Sequence, residues 1–584
     1  MSEVPTRDGL PPEYRWRREH LFDSPEAWDD EADAFAEALD DLRAFEGRVT
    51  DDGETLLAML DRYESIQAKE SRLWVHARMG TLQDTTDEDA AARMRRFRSL
   101  HGEREKAVSY LDGALADAGR ERIESFVGAT EGLERYSSFL DERLREAAHA
   151  PSTEVLETLA DLDAALDAPG RTLTTLKNAD FDAPTVERPD ASEATVTSQT
   201  RQRLLRHPDR AFRRRVHEAY LDELAEARST RAQAFSDHLQ GHDARASIRG
   251  YDSALDEALG GTFDPNLHAA LRKTVVENLA PLERRNSLLS KRLGVETLHE
   301  WDTRMPFTEG EGPEIPYDKA CDIVVSALEP LGETYQDRVE SLLSERRVDV
   351  YETREKLTEV RGMALATDRG EAFLHLNYAE DLRSLYFFCH ELGHAMHAVS
   401  SEATALDGVF PDHLVEVFSF THEALLTRYL LDTGYPAGHV LDTALGKIPL
   451  FVGVRWMSFV DAVYDHLDAG RELTADRLGE TYVEVQRAQR PGVEFGEGDE
   501  RGWMVEHLSR DPHFSYLYVL GTSCGLALAD RLHRGALAPE TYHGVLREGG
   551  ALSPDDAFER LGLDPVTAVE DALDVYDGYL DELA

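Results

Sequence analysis

Apolar residues recur at helical spacing through most of the N-terminal half of this chain. Ser24 and Pro25 form a helix start, apolar side chains follow at three- and four-residue spacing from Trp28 to Leu42, and Gly47 ends the pattern. Similar amphipathic patterns cover residues 53–83, 87–118, 120–128, 136–149, 197–226, 228–248 and 265–292. The sequence therefore predicts a mostly α-helical protein.

Sequence evidence for β-strands is sparse and confined to residues 361–378. Two short β-prone segments, 363–366 and 372–376, flank a turn at Asp368-Arg369-Gly370. We expect a small hairpin or sheet inside a helical protein.

A polar stretch around residues 182–192 interrupts the helical patterns. Such stretches are common between domains. We therefore predict an N-terminal helical domain over residues 1–190 and a second domain over residues 191–584.

The chain is strongly acidic. Of its 584 residues, 64 are Lys or Arg and 113 are Asp or Glu, which gives a net charge of −49. Only 8 of the 64 basic residues are lysine. Because this charge repels phosphate, nucleic acid and anionic lipid are excluded as partners. The composition is typical of proteins from salt-loving organisms, and we expect a halophilic archaeal source, with an acidic mesophilic protein as the alternative.

Cysteine usage and hydropathy indicate the compartment. Cys321, Cys389 and Cys524 are too few and too scattered for a disulfide framework, and the N-terminus carries no apolar signal segment. No run approaches the 18 or so apolar residues of a membrane span. We expect a soluble protein of the reducing cytoplasm with no membrane partner, while the oligomeric state is not indicated.

Residues 381–397 contain the motif that indicates a catalytic function. They form one helical pattern with His-Glu-x-x-His at its centre, at His390, Glu391 and His394. Residues four apart on a helix are neighbours at about 5–6 Å, so both imidazoles can reach one zinc ion at about 2.0–2.1 Å. Glu391 is rotated about 100° from His390 and is placed to hold the reacting water. The motif is short and by itself only fairly specific.

A catalytic zinc needs a third protein ligand, and the next helical pattern offers one. Glu416 and Glu423 are seven residues apart and share an otherwise apolar face, where a carboxylate needs a partner. We predict Glu416 as the ligand, with Glu423 and Ser419 hydrogen-bonding the imidazoles. An ion pair between Glu416 and an arginine is the alternative, and His413 and His422 are competing ligands that lie off this face.

These motifs resemble the oligoendopeptidase F branch of the zinc oligopeptidases, which also include thimet oligopeptidase. The likeness extends to the N-terminal lead-in at 11–28 and to segments at 175–181 and 246–255. It implies a mostly helical, clam-like metallopeptidase fold with a deep central channel and a small sheet before the zinc helix. It also implies that residues 191–584 form the catalytic domain.

The resemblance further implies a set of site residues. One zinc ion per chain would be held by His390, His394 and Glu416, and the substrates would be short peptides. The hairpin at 361–378 resembles the family's strand that binds the substrate backbone as an added strand. Ala364 stands there in place of a usual aromatic residue, which implies an altered side-chain pocket.

Residues 510–521 resemble the family segment that supplies a histidine and tyrosines. The likeness gives His513 the histidine role and makes Tyr516 and Tyr518 the tyrosine candidates for stabilising negative charge on the substrate carbonyl. The segment is about one residue shorter than the family pattern, so the choice between the two tyrosines stays open. Both tyrosines could instead pack in the core, and His507 is a rival for His513.

The sequence thus predicts a zinc endopeptidase that hydrolyses internal bonds of short oligopeptides. Glu391 would take a proton from the reacting water and pass it to the leaving amine. One alternative is a helical zinc carboxypeptidase with the same motif, which would need a cationic anchor for the substrate carboxylate. The other is a non-catalytic peptide-binding protein, against which the retention of Glu391 and all three ligands argues.

Overall fold

The computed structural model describes residues 4–149, 155, 158–159, 162, 165–260, 263–358, 360–410, 413–506 and 508–584. Over these residues the protein is mostly helical with small sheets, as predicted. Its helices are α1 Pro25–Arg43, α2 Gly53–Gln83, α3 Glu88–Val108, α4 Tyr110–Ala118, α5 Arg120–Ala129, α6 Ser137–Ala148, α7 Ala168–Asn178, α8 Ser198–Leu204, α9 Arg210–Ala225, α10 Arg228–Ile248, α11 Ala254–Ala258, α12 Pro265–Glu277, α13 Ala280–Leu293, α14 Tyr317–Ala327, α15 Glu333–Ser344, α16 Leu382–Ser400, α17 Val415–Asp432, α18 Ala437–Lys447, α19 Leu450–Asp468, α20 Ala475–Gln489, α21 Ser515–His533, α22 Pro539–Glu548, α23 Pro554–Leu561 and α24 Pro565–Leu583. Its strands are β1 Thr185–Glu187, β2 Glu193–Thr195, β3 Leu298–His299, β4 Val348–Tyr351, β5 Gly362–Ala366, β6 Ala372–Tyr378 and β7 Val493–Glu494.

Local signals explain where the first helices begin. Ser24 caps α1, because its hydroxyl accepts a hydrogen bond from the Ala27 amide at 3.2 Å. Asp52 caps α2 in the same way through the Thr55 amide at 2.8 Å. The apolar stripe predicted for α1 is buried. Both helices match the predicted patterns closely.

Three long helical patterns are broken in the structure, and the one at 87–118 divides into α3 and α4 at Ser109. The pattern at 197–226 divides into α8 and α9, because Pro208 cannot continue a helix and Asp209 caps the next one through the Phe212 amide at 2.7 Å. The pattern at 265–292 divides into α12 and α13 around Asn278 and Leu279, with a proline in the first turn of α13.

The chain folds into two compact units, each built from separated segments. The first comprises Met1–Thr153, Gly312–Tyr435 and Cys524–Asp564, and the second comprises Glu154–Glu311, Pro436–Ser523 and Pro565–Ala584. The polar stretch at 182–192 lies in the second unit, where β1 and β2 pair as an antiparallel hairpin. The division into residues 1–190 and 191–584 stays a prediction.

A three-stranded sheet in the first unit leads into the metal-motif helix. The predicted hairpin is present as β5 and β6, which pair antiparallel with Ala364 opposite Leu374. The sequence did not reveal β4, which pairs parallel with β6 and makes the strand order β4-β6-β5. Strand β6 is therefore central and largely buried, and β5 lies at an edge of the sheet.

The second unit has its own aromatic core. Phe235 of α10 packs with Trp456 and Phe459 of α19 and with Trp503, all four of which are buried. This packing fixes α19 against α10. It positions the side chains of α19 that face the segment before α21.

None of the described helices is long and apolar enough to cross a membrane. The three cysteines form no disulfide.

We expect the melting temperature to rise strongly between dilute buffer and molar KCl. At a net charge of −49 the folded chain repels itself, and molar salt shortens the screening length to about 3 Å. Thermal melts at several KCl concentrations measure this effect. A neutral osmolyte at matched osmolality is the control, because it does not screen charge. An equal melting temperature at low and molar KCl would contradict the halophile interpretation.

Candidate metal centre

Helix α16 presents the two histidines of the motif. Asp381 caps the helix by accepting a hydrogen bond from the Ser384 amide at 2.7 Å, in a capping box. The helix is buried on most sides, as its apolar sequence requires. His390 and His394 lie one turn apart on it, with ring centroids 4.9 Å apart and ring planes at 83°.

Glu416, in the first turn of α17, meets both histidines. Its carboxylate oxygens lie 3.3 Å from His390 Nε2 and 4.0 Å from His394 Nε2. One ligand atom from each of the three residues lies within 4.8 Å of the others. The structure thus brings the predicted group together, while its role in binding metal stays a prediction.

Gly393 allows the two helices to approach this closely. A Cβ atom at this position would lie 2.6 Å from Ser419 Cα on α17 and 2.8 Å from Ser419 Oγ. Any larger residue at position 393 would therefore push α17 away and move Glu416. Sequence reasoning did not assign this role to Gly393, although a glycine inside a buried helix is a recognisable signal of close packing.

Glu423 orients His390 from two turns further along α17. Its Oε1 accepts a hydrogen bond from His390 Nδ1 at 2.8 Å, which directs Nε2 of the same ring toward Glu416. Burial opposes a charge on His390, but the hydrogen bonds with Glu416 and Glu423 outweigh it and raise its pKa to about 10. The contact predicted for Glu423 is present.

Ser419 does not act as predicted. Among the described residues its hydroxyl finds no hydrogen-bond partner, so it does not bind an imidazole. It lies against Gly393 instead. The expectation for Ser419 came from its shared face with Glu423, but the close approach of the helices uses this position for packing.

The other nearby histidines are outside the group. His397 is buried between Phe410 and Phe418, and burial lowers its pKa to about 3. His422 Nε2 forms a hydrogen bond of 2.8 Å with the Tyr335 hydroxyl. His413 has a positive φ of 66° just before α17 and does not belong to the group of converging ligand atoms. Cys389 is buried, as predicted for a core residue.

Glu391 is held against the edge strand β5. Its Oε2 accepts a hydrogen bond from the Ala364 amide at 2.9 Å. Gly362 provides the space, because a Cβ atom there would lie 2.6 Å from Glu391 Cγ. A backbone contact that the sequence motif did not reveal therefore fixes the carboxylate against β5.

The predicted oxyanion residues lie in the second unit. His513 is buried just before α21, with its ring stacked on Tyr464 at 5.4 Å. Tyr516 is buried in the first turn of α21, and Tyr518 is half-buried with its ring 6.2 Å from Phe514. His507, the rival of His513, lies outside the described residues.

A largely helical chain in which two histidines of one helix converge with a glutamate of the next defines a helical metallopeptidase. The sequence matches Peptidase family M3 over residues 203–573 and Oligopeptidase F over residues 115–182. The chain belongs to peptidase family M3. The predictions of family and of metallopeptidase activity are thereby confirmed.

Individual relatives span nearly the whole chain. The oligopeptidase PepF of Bacillus subtilis (strain 168) is 26% identical over 100% of this chain and 88% of its own length. The group B oligopeptidase PepB of Streptococcus agalactiae is 26% identical over 99% of this chain and 98% of its own. Both are described as oligopeptidases.

Solved structures share the fold. A peptidase structure from Chlamydophila abortus aligns with a TM-score of 0.84 at 22% identity, covering 100% of both chains. Oligoendopeptidase-F from Enterococcus faecium aligns with a TM-score of 0.73 at 23% identity, covering 96% of this chain and 98% of its own. At this identity the likeness is one of fold.

Proposed function

We propose that this protein is a zinc-dependent endopeptidase that hydrolyses internal bonds of short oligopeptides. The observation that carries the proposal is the convergence of His390, His394 and Glu416. The carboxylate of Glu391, the residue next to His390, is fixed by the Ala364 amide. Two imidazoles and a carboxylate suit zinc, and three protein ligands leave one coordination position for a reactant. A zinc ion held there would supply Lewis-acid activation of water and of the scissile carbonyl.

In this proposal the chain's own residues move the protons. Glu391 accepts the proton of the attacking water and later delivers it to the leaving amine. The Ala364 amide keeps the carboxylate oriented during both transfers. Glu423 holds His390 in the tautomer whose Nε2 can bind metal.

The charge that develops on the substrate carbonyl needs hydrogen-bond donors. We assign this role to His513 and to Tyr516 or Tyr518 on the sequence resemblance. The aromatic and imidazole rings around His513 support a fixed orientation of its side chain.

The edge position of β5 supports substrate binding by strand addition. Backbone pairing gives affinity without demanding a particular side chain, which suits an enzyme that acts on varied peptides. Gly362 and Ala364 leave little side-chain bulk on this strand next to Glu391. A cytoplasmic location and a saline source are also proposals, supported by the low cysteine count and the acidic composition.

Replacing Glu416 by alanine should remove most of the zinc that is bound at His390 and His394. Two imidazoles alone hold the ion weakly, and the loss of the carboxylate also removes a negative charge that balances it. Metal analysis after dialysis measures the effect, with Glu402→Ala as a matched control at an exposed position. Full zinc content and activity in Glu416→Ala would instead favour His413 or Glu423 as the third ligand.

Substrate size and cleavage position test the proposed activity. We expect a short quenched-fluorescent peptide and a peptide blocked at both ends to be cut internally, with casein left whole. Mass spectrometry of the products in molar KCl reads the position of each cut. Release of single residues from free C-termini only would favour a carboxypeptidase. No cleavage of any substrate by zinc-loaded protein would favour a peptide-binding protein.

A further inference from the structure

A second group of metal-ligating side chains lies in the second unit. His268 belongs to α12, Asp461 belongs to α19, and His513 precedes α21. One ligand atom from each of these residues lies within 4.8 Å of the others. We propose that His268, Asp461 and His513 form a second site for a divalent transition-metal ion. This site shares no residue with the group of His390, His394 and Glu416.

The two imidazoles have nitrogen atoms available for an ion. His268 is 3% exposed and His513 is 5% exposed, and their ring centroids are 5.9 Å apart. In the described part of the chain, neither His268 Nε2 nor His513 Nε2 has a hydrogen-bond partner. Leaving two such buried nitrogens unsatisfied costs about 1–3 kcal/mol each. A shared metal ion would satisfy both.

The protonation states suit metal binding. Burial lowers the pKa of His268 to about 4 and that of His513 to about 3, so both rings are neutral at pH 7. Burial raises the pKa of Asp461 to about 6, which still leaves the carboxylate mostly ionised at pH 7. Groups that are already unprotonated can bind an ion without first releasing a proton.

Arg272 forms an ion pair with the carboxylate of Asp461, the third proposed ligand. Its Nε lies 3.0 Å from Asp461 Oδ2 and so engages one of the two carboxylate oxygens. The contact is an ion pair and not a hydrogen bond, because Arg272 Nε has no hydrogen-bond partner among the described residues. The Asp461 side chain is 28% exposed, so an ion has a way in. The positive charge of Arg272 weakens the site relative to one without it.

The spacing requires only a small adjustment. Ligand atoms on a tetrahedral zinc ion at about 2.1 Å lie roughly 3.4 Å apart. Closing the group to that spacing takes movements of about 1.5 Å or less, which side-chain rotation supplies. Two imidazoles and one carboxylate favour zinc or cobalt over magnesium or calcium, which prefer oxygen ligands.

Metal stoichiometry tests the site directly. The full chain is dialysed against Zn²⁺ in molar KCl with excess Mg²⁺, which suppresses loose binding to surface carboxylates, and zinc per chain is then measured. We expect two ions in the unsubstituted chain, and one ion in both His268→Ala and Asp461→Asn. His466→Ala, which removes a histidine from the same helix as Asp461, should retain two. One ion in the unsubstituted chain, or a second ion that both substitutions leave bound, would overturn the proposal.

Inhibition by excess zinc provides a second readout, which rests on the proposed function. A His513 ring bound to metal loses its role as an oxyanion donor, so excess Zn²⁺ should lower turnover by on the order of 10²-fold. Asp461→Asn should resist this inhibition, which is measured for each protein as the ratio of its turnover with and without excess Zn²⁺. Equal inhibition of both proteins would reject a metal at His513 as the cause. If no peptide is cleaved at all, the proposed function fails, while the stoichiometry experiment still decides the second site.

Discussion

Replacing Glu391 by glutamine is expected to abolish peptide hydrolysis while zinc and the fold are retained. The amide cannot accept the proton of the attacking water, and loss of a general base costs about 10²–10⁴-fold in turnover. Its carbonyl oxygen can still accept the hydrogen bond of the Ala364 amide, so the side chain should keep its place. Steady-state cleavage of a fluorescent peptide, with metal analysis of the same sample, measures both effects.

The matched control for this substitution is Glu402→Gln. Glu402 follows α16 and its side chain is 72% exposed, so the same chemical change there should leave turnover unaltered. Turnover above a few per cent in Glu391→Gln would remove Glu391 from the role of base. Loss of zinc from that variant would show that Glu391 contributes to metal binding instead.

Replacing His513 by alanine is expected to lower turnover by about 10²–10³-fold with little change in KM. A donor aimed at the oxyanion acts mainly in the transition state, so its loss appears in kcat more than in substrate binding. The measurement is kcat and KM on a short peptide at one zinc per chain, which avoids any effect of excess metal. Circular dichroism checks that the buried position tolerates alanine.

Four further variants serve as controls and comparisons for the His513→Ala result. His533→Ala, at the exposed end of α21, should behave as the unsubstituted protein. A large loss in His507→Ala with full activity in His513→Ala would transfer the assignment to His507. Comparison of Tyr516→Phe with Tyr518→Phe then identifies which hydroxyl contributes.

Local chemistry explains why so much of the helical structure follows from the sequence. The caps of α1 and α2 are contacts between residues three apart, so Ser24 and Asp52 determine those helix starts wherever the helices pack. The same local geometry places His390 and His394 on one face of α16. Where a predicted pattern is longer than the helix in the structure, the signal that ends the helix is also local, as Pro208 shows between α8 and α9.

Local sequence patterns do not reveal contacts between residues that are far apart in the chain. Strand β4 is only four residues long and pairs with β6 across more than 20 residues, so periodicity carried no sign of it. Ser419 shares a face with Glu423, yet it packs against Gly393 because α17 approaches α16 at that point. A helical face shows which residues point inward, but it does not show which neighbour they meet.

The sequence by itself determined the helical class, the enzyme family and the candidate metal ligands, because caps, helical spacing and motifs depend on residues close together in the chain. Only the tertiary structure decided that Glu416 reaches both histidines, since this depends on the approach of α17 at Gly393. It also decided that Glu391 is anchored by the Ala364 amide. The grouping of His268, Asp461 and His513 depends on the packing of three separate segments, which local sequence patterns do not specify.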